Sequence, residues 1–315
     1  MKKIIISISI ALAAAGFTPP ASAQFDLGHA LQAGIQGIQA MTLSDEQVAE
    51  YARQSVKQMD AENTVAPDND PYTRRLRSIT AAFKSADGLP LNFKVYKTSD
   101  VNAFACPDGS VRVFSGLMDM MDDDELLGVI GHEIGHVEKH HSRKQMKQQL
   151  LQGAFVEAIS SAGGRLATLS QSQLSQLGQA LASAKYSKKQ EEEADDCGYD
   201  FLRRNGKNPW GMVSAFEKMS AMEKASGAQY SYLQKMFSDH PDTDKRIKSM
   251  KKRCKKDGIT EPTAAELKAA QAMNQEYYNR GGDNKSKSSV TTSSKSSNKS
   301  GTKSSSSKKK PSKRK

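Results

Sequence analysis

The chain has 315 residues, with 46 Lys and Arg against 35 Asp and Glu, a formal charge of +11. The excess sits at the ends: residues 281–315 carry ten Lys, one Arg and one Asp, and Lys2 and Lys3 add two more charges, which leaves residues 24–280 at −1. A nearly neutral body excludes nucleic-acid binding as the meaning of the high isoelectric point, and its length supports one substantial domain.

At the N-terminus, Lys2 and Lys3 precede an apolar run from Ile4 to Ala15, followed by Pro19-Pro20 and Ala21-Ser22-Ala23. This is the layout of a secretory signal peptide, residues 1–23, with cleavage expected between Ala23 and Gln24. The run is too short to span a bilayer, and Leu150–Leu169, the next candidate, is interrupted by Glu157 and Arg165. No transmembrane segment is expected. Residues 24–71 read as an N-terminal helical segment. Ser44 and Gln47 have capping-box spacing before Val48, Tyr51, Ala52 and Val56, and Asp70-Pro71 opens a further helix.

Sheet is expected next. Leu91 to Tyr96 alternates apolar and polar residues, and Ala103–Cys106 and Val111–Phe114 flank the turn Pro107-Asp108-Gly109. A hairpin here either packs only, or offers its outer backbone to another chain.

Asp122, Asp123 and Asp124 then supply capping oxygens and negative charge to a helix whose apolar face is Leu126, Ile130, Ile134 and Val137. The same helix carries His132-Glu133-Ile134-Gly135-His136. Residues four apart share a face, so two neutral imidazoles can bind one zinc ion, with Glu133 beside them as proton acceptor for an attacking water. His140 continues the row as a structural group or a support for the ligands. The third His of a metzincin is absent, because Ser142 holds its position.

A catalytic zinc needs a third protein ligand and an open position. The acid-rich run Glu191-Glu192-Glu193-Ala194-Asp195-Asp196 can supply it, and spacing alone leaves Glu191 and Glu192 both open. Between the two ligand regions, Ser160–Ser187 either forms helices over the cleft or stays mobile, with a break at Gly163-Gly164. Helices are expected through Tyr199–Arg204, stopped by Asn205-Gly206, and from Pro209-Trp210 to Met222. His240-Pro241 is either a surface turn or a group near zinc, and Arg246 is a candidate for stabilising charge in a tetrahedral intermediate. Cys106, Cys197 and Cys254 allow one disulfide, and sequence does not select the pair. The Lys/Ser-rich tail, residues 281–315, cannot bury a core; it either solubilises the chain or adheres electrostatically to an anionic envelope surface.

From about Tyr72 to Arg253 the chain resembles the gluzincin metallopeptidases of the HtpX and CAAX-prenyl-protease family, in their small periplasmic, LoiP-like branch. The resemblance is carried by the His pair, Glu191-x-x-Ala194-Asp195, Asn102-Ala103-Phe104-Ala105, Ser115-Gly116-Leu117-Met118-Asp119, and His240-Pro241 with Arg246. It implies one Zn²⁺ per chain held by His132, His136 and Glu191, with Glu133 as the general base. Asp195 would orient a ligating imidazole, and His240 would lie near the cleft. Asn102, Ala103, Phe104 and Ala105 would form an edge strand that binds substrate backbone. The expected fold is α+β and mostly helical, a single zincin-type domain over residues 72–280, with a small antiparallel sheet beside the active-site helix. The implied activity is endopeptidase cleavage of unfolded or extended periplasmic proteins, in protein quality control. The alternative is a chaperone-like or autoinhibited zinc-binding module that rarely cleaves; an adhesion protein acting through the tail is a third.

Overall fold

The computed structural model describes residues 43–226, 239–240, 243–270 and 272. The expected signal peptide with its cleavage site, and the basic tail, lie outside the described residues.

The first helix, α1 (Asp45–Glu62), starts where its capping box predicts: Gln47 N–H donates to Ser44 Oγ and Ser44 N–H to Gln47 Oε1. Asp70 caps α2 (Pro71–Ile79), whose first residue is the proline. A short hairpin follows, β1 (Ser85–Ala86) and β2 (Leu89–Pro90), closed by Asp87 and Gly88, both with positive φ. Nothing in the sequence analysis had marked it.

Three further strands, β3 (Asn92–Tyr96), β4 (Ala103–Ala105) and β5 (Ser110–Phe114), form one sheet in the order β3-β5-β4. The β4–β5 hairpin is antiparallel as expected, with Phe104 opposite Arg112, while β3 joins β5 in parallel, so this sheet is mixed. Side-chain alternation buries both faces. Val95, Ala103, Ala105, Val111 and Val113 enter one core; Tyr96, Phe104 and Cys106 enter a second, with Phe114 packed against it.

The first core lies under α4 (Asp123–Glu138), α8 (Lys188–Arg204), α9 (Trp210–Ser226) and α10 (Thr243–Lys256). The short α3 (Ser115–Met120) leads into α4. The second core is closed by α1, α5 (His141–Leu150), α6 (Ala154–Ser161) and α7 (Gln171–Ala182). Much of the stretch 160–187 is therefore helical: α7 carries its own capping box from Ser170 and Gln173, and Gly163 and Gly164, both at positive φ, break the chain before it. Among the described residues no helix is long and apolar enough to cross a membrane.

Two buried arginines fix the frame. Arg75 of α2 donates to the carbonyls of Met118 and Met121 and to Asp123 Oδ1, at 2.6, 2.7 and 2.8 Å, which sets how the chain enters α4. Arg112 of β5 takes both oxygens of Asp60 at 2.8 and 3.0 Å, tying the sheet to α1. Burial alone would raise the pKa of Asp60, but hydrogen bonds from Arg112, Lys94 and Tyr96 hold it below its ordinary 3.8. Its contribution to stability is thus complete above that value and is lost as pH falls through the lower folded-state pKa. Asp60→Ala leaves a buried guanidinium without its partner and is expected to cost about 3 kcal/mol in denaturant unfolding at neutral pH, with a smaller cost in acid.

Candidate metal centre

Helix α4 obeys its sequence cues. Asp122 Oδ1 accepts from Glu125 N–H and Glu125 Oε2 accepts from Asp122 N–H, both at 2.9 Å, and Leu126, Ile130, Ile134 and Val137 are buried. Its partner α8 starts at a second capping box, Ser187 with Gln190. Where the two helices cross, no side chain separates them. A Cβ on Gly135 would stand 2.3 Å from the Ala194 carbonyl oxygen, and one on Gly198 would stand 2.5 Å from that of Gly131. Backbone contact at both points brings Glu191, one turn before Ala194-Asp195, against the two histidines.

The Nε2 atoms of His132 and His136 lie 3.1 Å apart, and each is 3.5 Å from an oxygen of Glu191. His240 Nδ1 is 3.3 Å from His132 Nε2 and 3.2 Å from both Glu191 oxygens. Four ligand atoms at the vertices of a tetrahedron around zinc, at bonds of ~2.05 Å, stand roughly 3.3 Å from one another. The observed spacings fit that figure, so His132, His136 and Glu191 are positioned to hold a metal ion, with His240 Nδ1 within 4.8 Å of each of their ligand atoms. Glu192, the other candidate that spacing left open, is exposed, whereas Glu191 is fully buried.

The protonation of the site suits a cation. Burial drives the pKa of His136 well below its ordinary value and keeps the imidazole neutral. For Glu191 burial acts upward but is outweighed by the adjoining His136 and His240 rings, so the carboxyl stays ionised. Asp195 is likewise lowered against its burial, chiefly by Arg246. Glu133 moves the other way: burial raises it, and His240, His132 and the Ala105 backbone N–H of β4 only partly oppose this.

Around these groups, Asp195 Oδ1 accepts from His132 Nδ1 at 2.8 Å, which leaves the Nε2 lone pair free to face the cluster. Arg246 donates to both Asp195 oxygens at 2.7 Å and sits 2.6 Å from Glu191 Oε2. Its guanidinium is committed to these two carboxylates. Tyr186 stacks on His136, with ring centroids 3.8 Å apart, and Phe216 packs edge-on to His132 while lying under Arg246.

Residues 70–254, more than half of the chain, match the family described as peptidase family M48. The chain belongs to peptidase family M48. It is 41% identical over 260 residues to Metalloprotease LoiP of Escherichia coli (strain K12), covering 82% of this chain and 99% of the relative. It is 38% identical over 255 residues to Metalloprotease YcaL of the same organism, covering 80% and 98%. Beta-barrel assembly-enhancing protease of Yersinia pestis is 28% identical over 193 residues, 58% of this chain and 38% of the longer relative. M48 members are metal-dependent peptidases, in agreement with the His, His and Glu cluster.

Within this M48 fold, β4 is an edge strand beside α4, and Asn102 at its start donates to the Ala182 carbonyl at the end of α7. Residues 102–105 thus lie at the sheet edge next to the metal cluster. His240 is brought to that cluster rather than to a surface turn; Pro241 and Asp242 lie outside the described residues. His140 stands apart. It adopts a left-handed backbone with φ of 58°, and its ring pairs with Asp87 at 3.2 Å. His141 takes the inward place instead. His141, Tyr186 and Phe216 were not expected at the site, and Glu193 was expected only as one member of the acidic run. An aromatic residue or an acid carries no local signal of what it will touch across the fold. The three cysteines are buried and unbonded, and Cys197 donates to Glu138 Oε2 at 2.8 Å.

Proposed function

We propose that the chain is an exported zinc endopeptidase that cleaves unfolded or extended proteins of the bacterial periplasm, in protein quality control. The observation that carries this reading is the set of tetrahedral spacings among His132, His136 and Glu191 with Glu133 beside them. Two nitrogen donors and one carboxylate suit zinc, which supplies Lewis-acid polarisation of a carbonyl and acidification of water. Glu133 takes the proton of the attacking water and returns it to the leaving amine. Its raised pKa suits both tasks. Edge strand β4 pairs with extended substrate backbone, so selection depends on chain extension more than on side-chain identity. Val129, Phe216 and Met219 line a small recess beside His132 and Glu133 and put apolar surface next to the scissile bond. Arg246 serves the ligands by holding Asp195 and Glu191. The signal-peptide pattern and the likeness to LoiP and to a beta-barrel assembly-enhancing protease support an envelope location and protein substrates.

The test is cleavage of a reduced, alkylated and therefore permanently unfolded protein. Complete chelation should abolish cleavage, and one equivalent of zinc should restore it. Cleavage that survives full metal removal would sink the reading.

One observation favours a second reading. His240 Nδ1 belongs to the same group of four ligand atoms, so a resting chain could hold zinc through four protein groups and cleave little. In that case His240→Ala raises the rate of cleavage. A zinc-loaded His240→Ala variant that is as inactive as the parent leaves the zinc-binding module as the better description.

A further inference from the structure

The two histidine ligands are supported differently. His132 meets a carboxylate directly, whereas His136 Nδ1 faces another imidazole, His141 Nδ1, at 3.1 Å. The far nitrogen of that ring, His141 Nε2, is 3.0 Å from Glu193 Oε2. The pattern has one consistent assignment of protons for neutral rings. A carboxylate only accepts, so His141 carries its proton on Nε2 and donates it to Glu193. His141 Nδ1 is then an acceptor, and the proton between the two rings belongs to His136 Nδ1. With that proton in place, the lone pair of His136 is on Nε2, the atom that faces His132 and Glu191. Tyr186, stacked on His136, holds the ring plane from the side.

We infer that His141 and Glu193 are positioning residues: they fix the tautomer and ring orientation of His136 and thereby its strength as a metal ligand. Helix α8 then supplies three carboxylates with three duties. Glu191 meets the metal, Asp195 orients His132, and Glu193 orients His136 through His141. The relay arises from a backbone feature. The left-handed His140 ends the run of α4 and turns the chain so that α5 begins with His141, buried and 2% exposed, against His136. A helix continued through residue 141 would have carried that side chain off this face.

This inference rests on His136 being a metal ligand, but its test does not depend on peptide hydrolysis. Glu193 is the residue to change, because its side chain is 41% exposed and its loss leaves the core intact. Glu193→Gln keeps an acceptor oxygen and loses the charge; Glu193→Ala loses both. Zinc affinity, read by competition with a chromophoric chelator at one neutral pH, should fall roughly 10- to 100-fold in Glu193→Ala and stay close to wild type in Glu193→Gln. In the metal-free protein, ¹⁵N NMR of the histidine side chains should show His136 protonated on Nδ1 in wild type and Glu193→Gln. In Glu193→Ala it should be a mixture of tautomers. A merely structural role would leave that signature unmoved. Three results would overturn the inference: a wild-type His136 protonated on Nε2, unchanged zinc affinity in Glu193→Ala, or equal losses in the two variants, which would assign the effect to charge.

Discussion

Glu133→Gln is expected to lower cleavage of an unfolded protein by roughly 10²- to 10⁴-fold, the usual worth of a positioned acid–base group. The exchange is nearly isosteric, and it removes only the capacity to take and return a proton. Glu133 is not one of the four clustered ligands, so zinc content should remain equal to wild type, and that equality makes the loss interpretable. Glu133 is 4% exposed, which leaves bulk water little access to substitute for it. If the variant cleaves at nearly the parental rate with zinc bound, proton transfer belongs elsewhere. The first group to examine would be His240, whose Nε2 lies 3.7 Å from Glu133 Oε1.

Arg246→Ala should produce the largest loss of stability. The guanidinium side chain is 3% exposed and holds two buried carboxylates, Asp195 through Nε and Nη2 and Glu191 through Nη1. Removing it leaves both acids without their cation in a site that excludes water. The expected cost is about 4 kcal/mol in chemical denaturation of the metal-free protein. Arg246→Lys should recover only part of this, because an ammonium is a point donor and cannot satisfy two carboxylates as a planar fork does. A loss below about 1 kcal/mol would place these ion pairs in the weak, solvent-screened class instead.

Local chemistry was readable wherever one short segment decides the outcome. Ser44 with Gln47 and Asp70 with Pro71 announced helix starts that the structure places at those residues. The α4 helix and the 103–114 hairpin followed from period and turn residues in the same way. The acidic run on α8 was harder. Its spacing could not separate Glu191 from Glu192, because the rotation of α8 about its own axis is fixed by tertiary contacts, above all with α4. Burial makes the distinction: Glu191 and Asp195 turn inward, while Asp196 and Asp200 pair with Arg253 at the surface. The helical wheel also put His140 in the row of His132 and His136. It assumed a helix running past residue 139, and no glycine or proline marks the left-handed turn that ends it. The parallel pairing of β3 with β5 was beyond reach for a related reason, since it depends on where the 97–102 connection leads and not on any strand pattern.

The contacts at Gly135 and Gly198 bear on how this centre ages and fails. The gap between the histidine-bearing helix and the glutamate-bearing helix is set by main-chain atoms in touch, with no layer of rotatable groups between them to relax. Elsewhere in the protein, warming or an enlarged core residue can be absorbed by Leu and Met side chains changing rotamer. At these two points there is nothing soft to yield, and the nearest rotatable group is Leu202, packed on Gly131. The cage therefore keeps its dimensions until the two helices part, and it parts all at once. Metal release and the parting of these two helices should then coincide on heating.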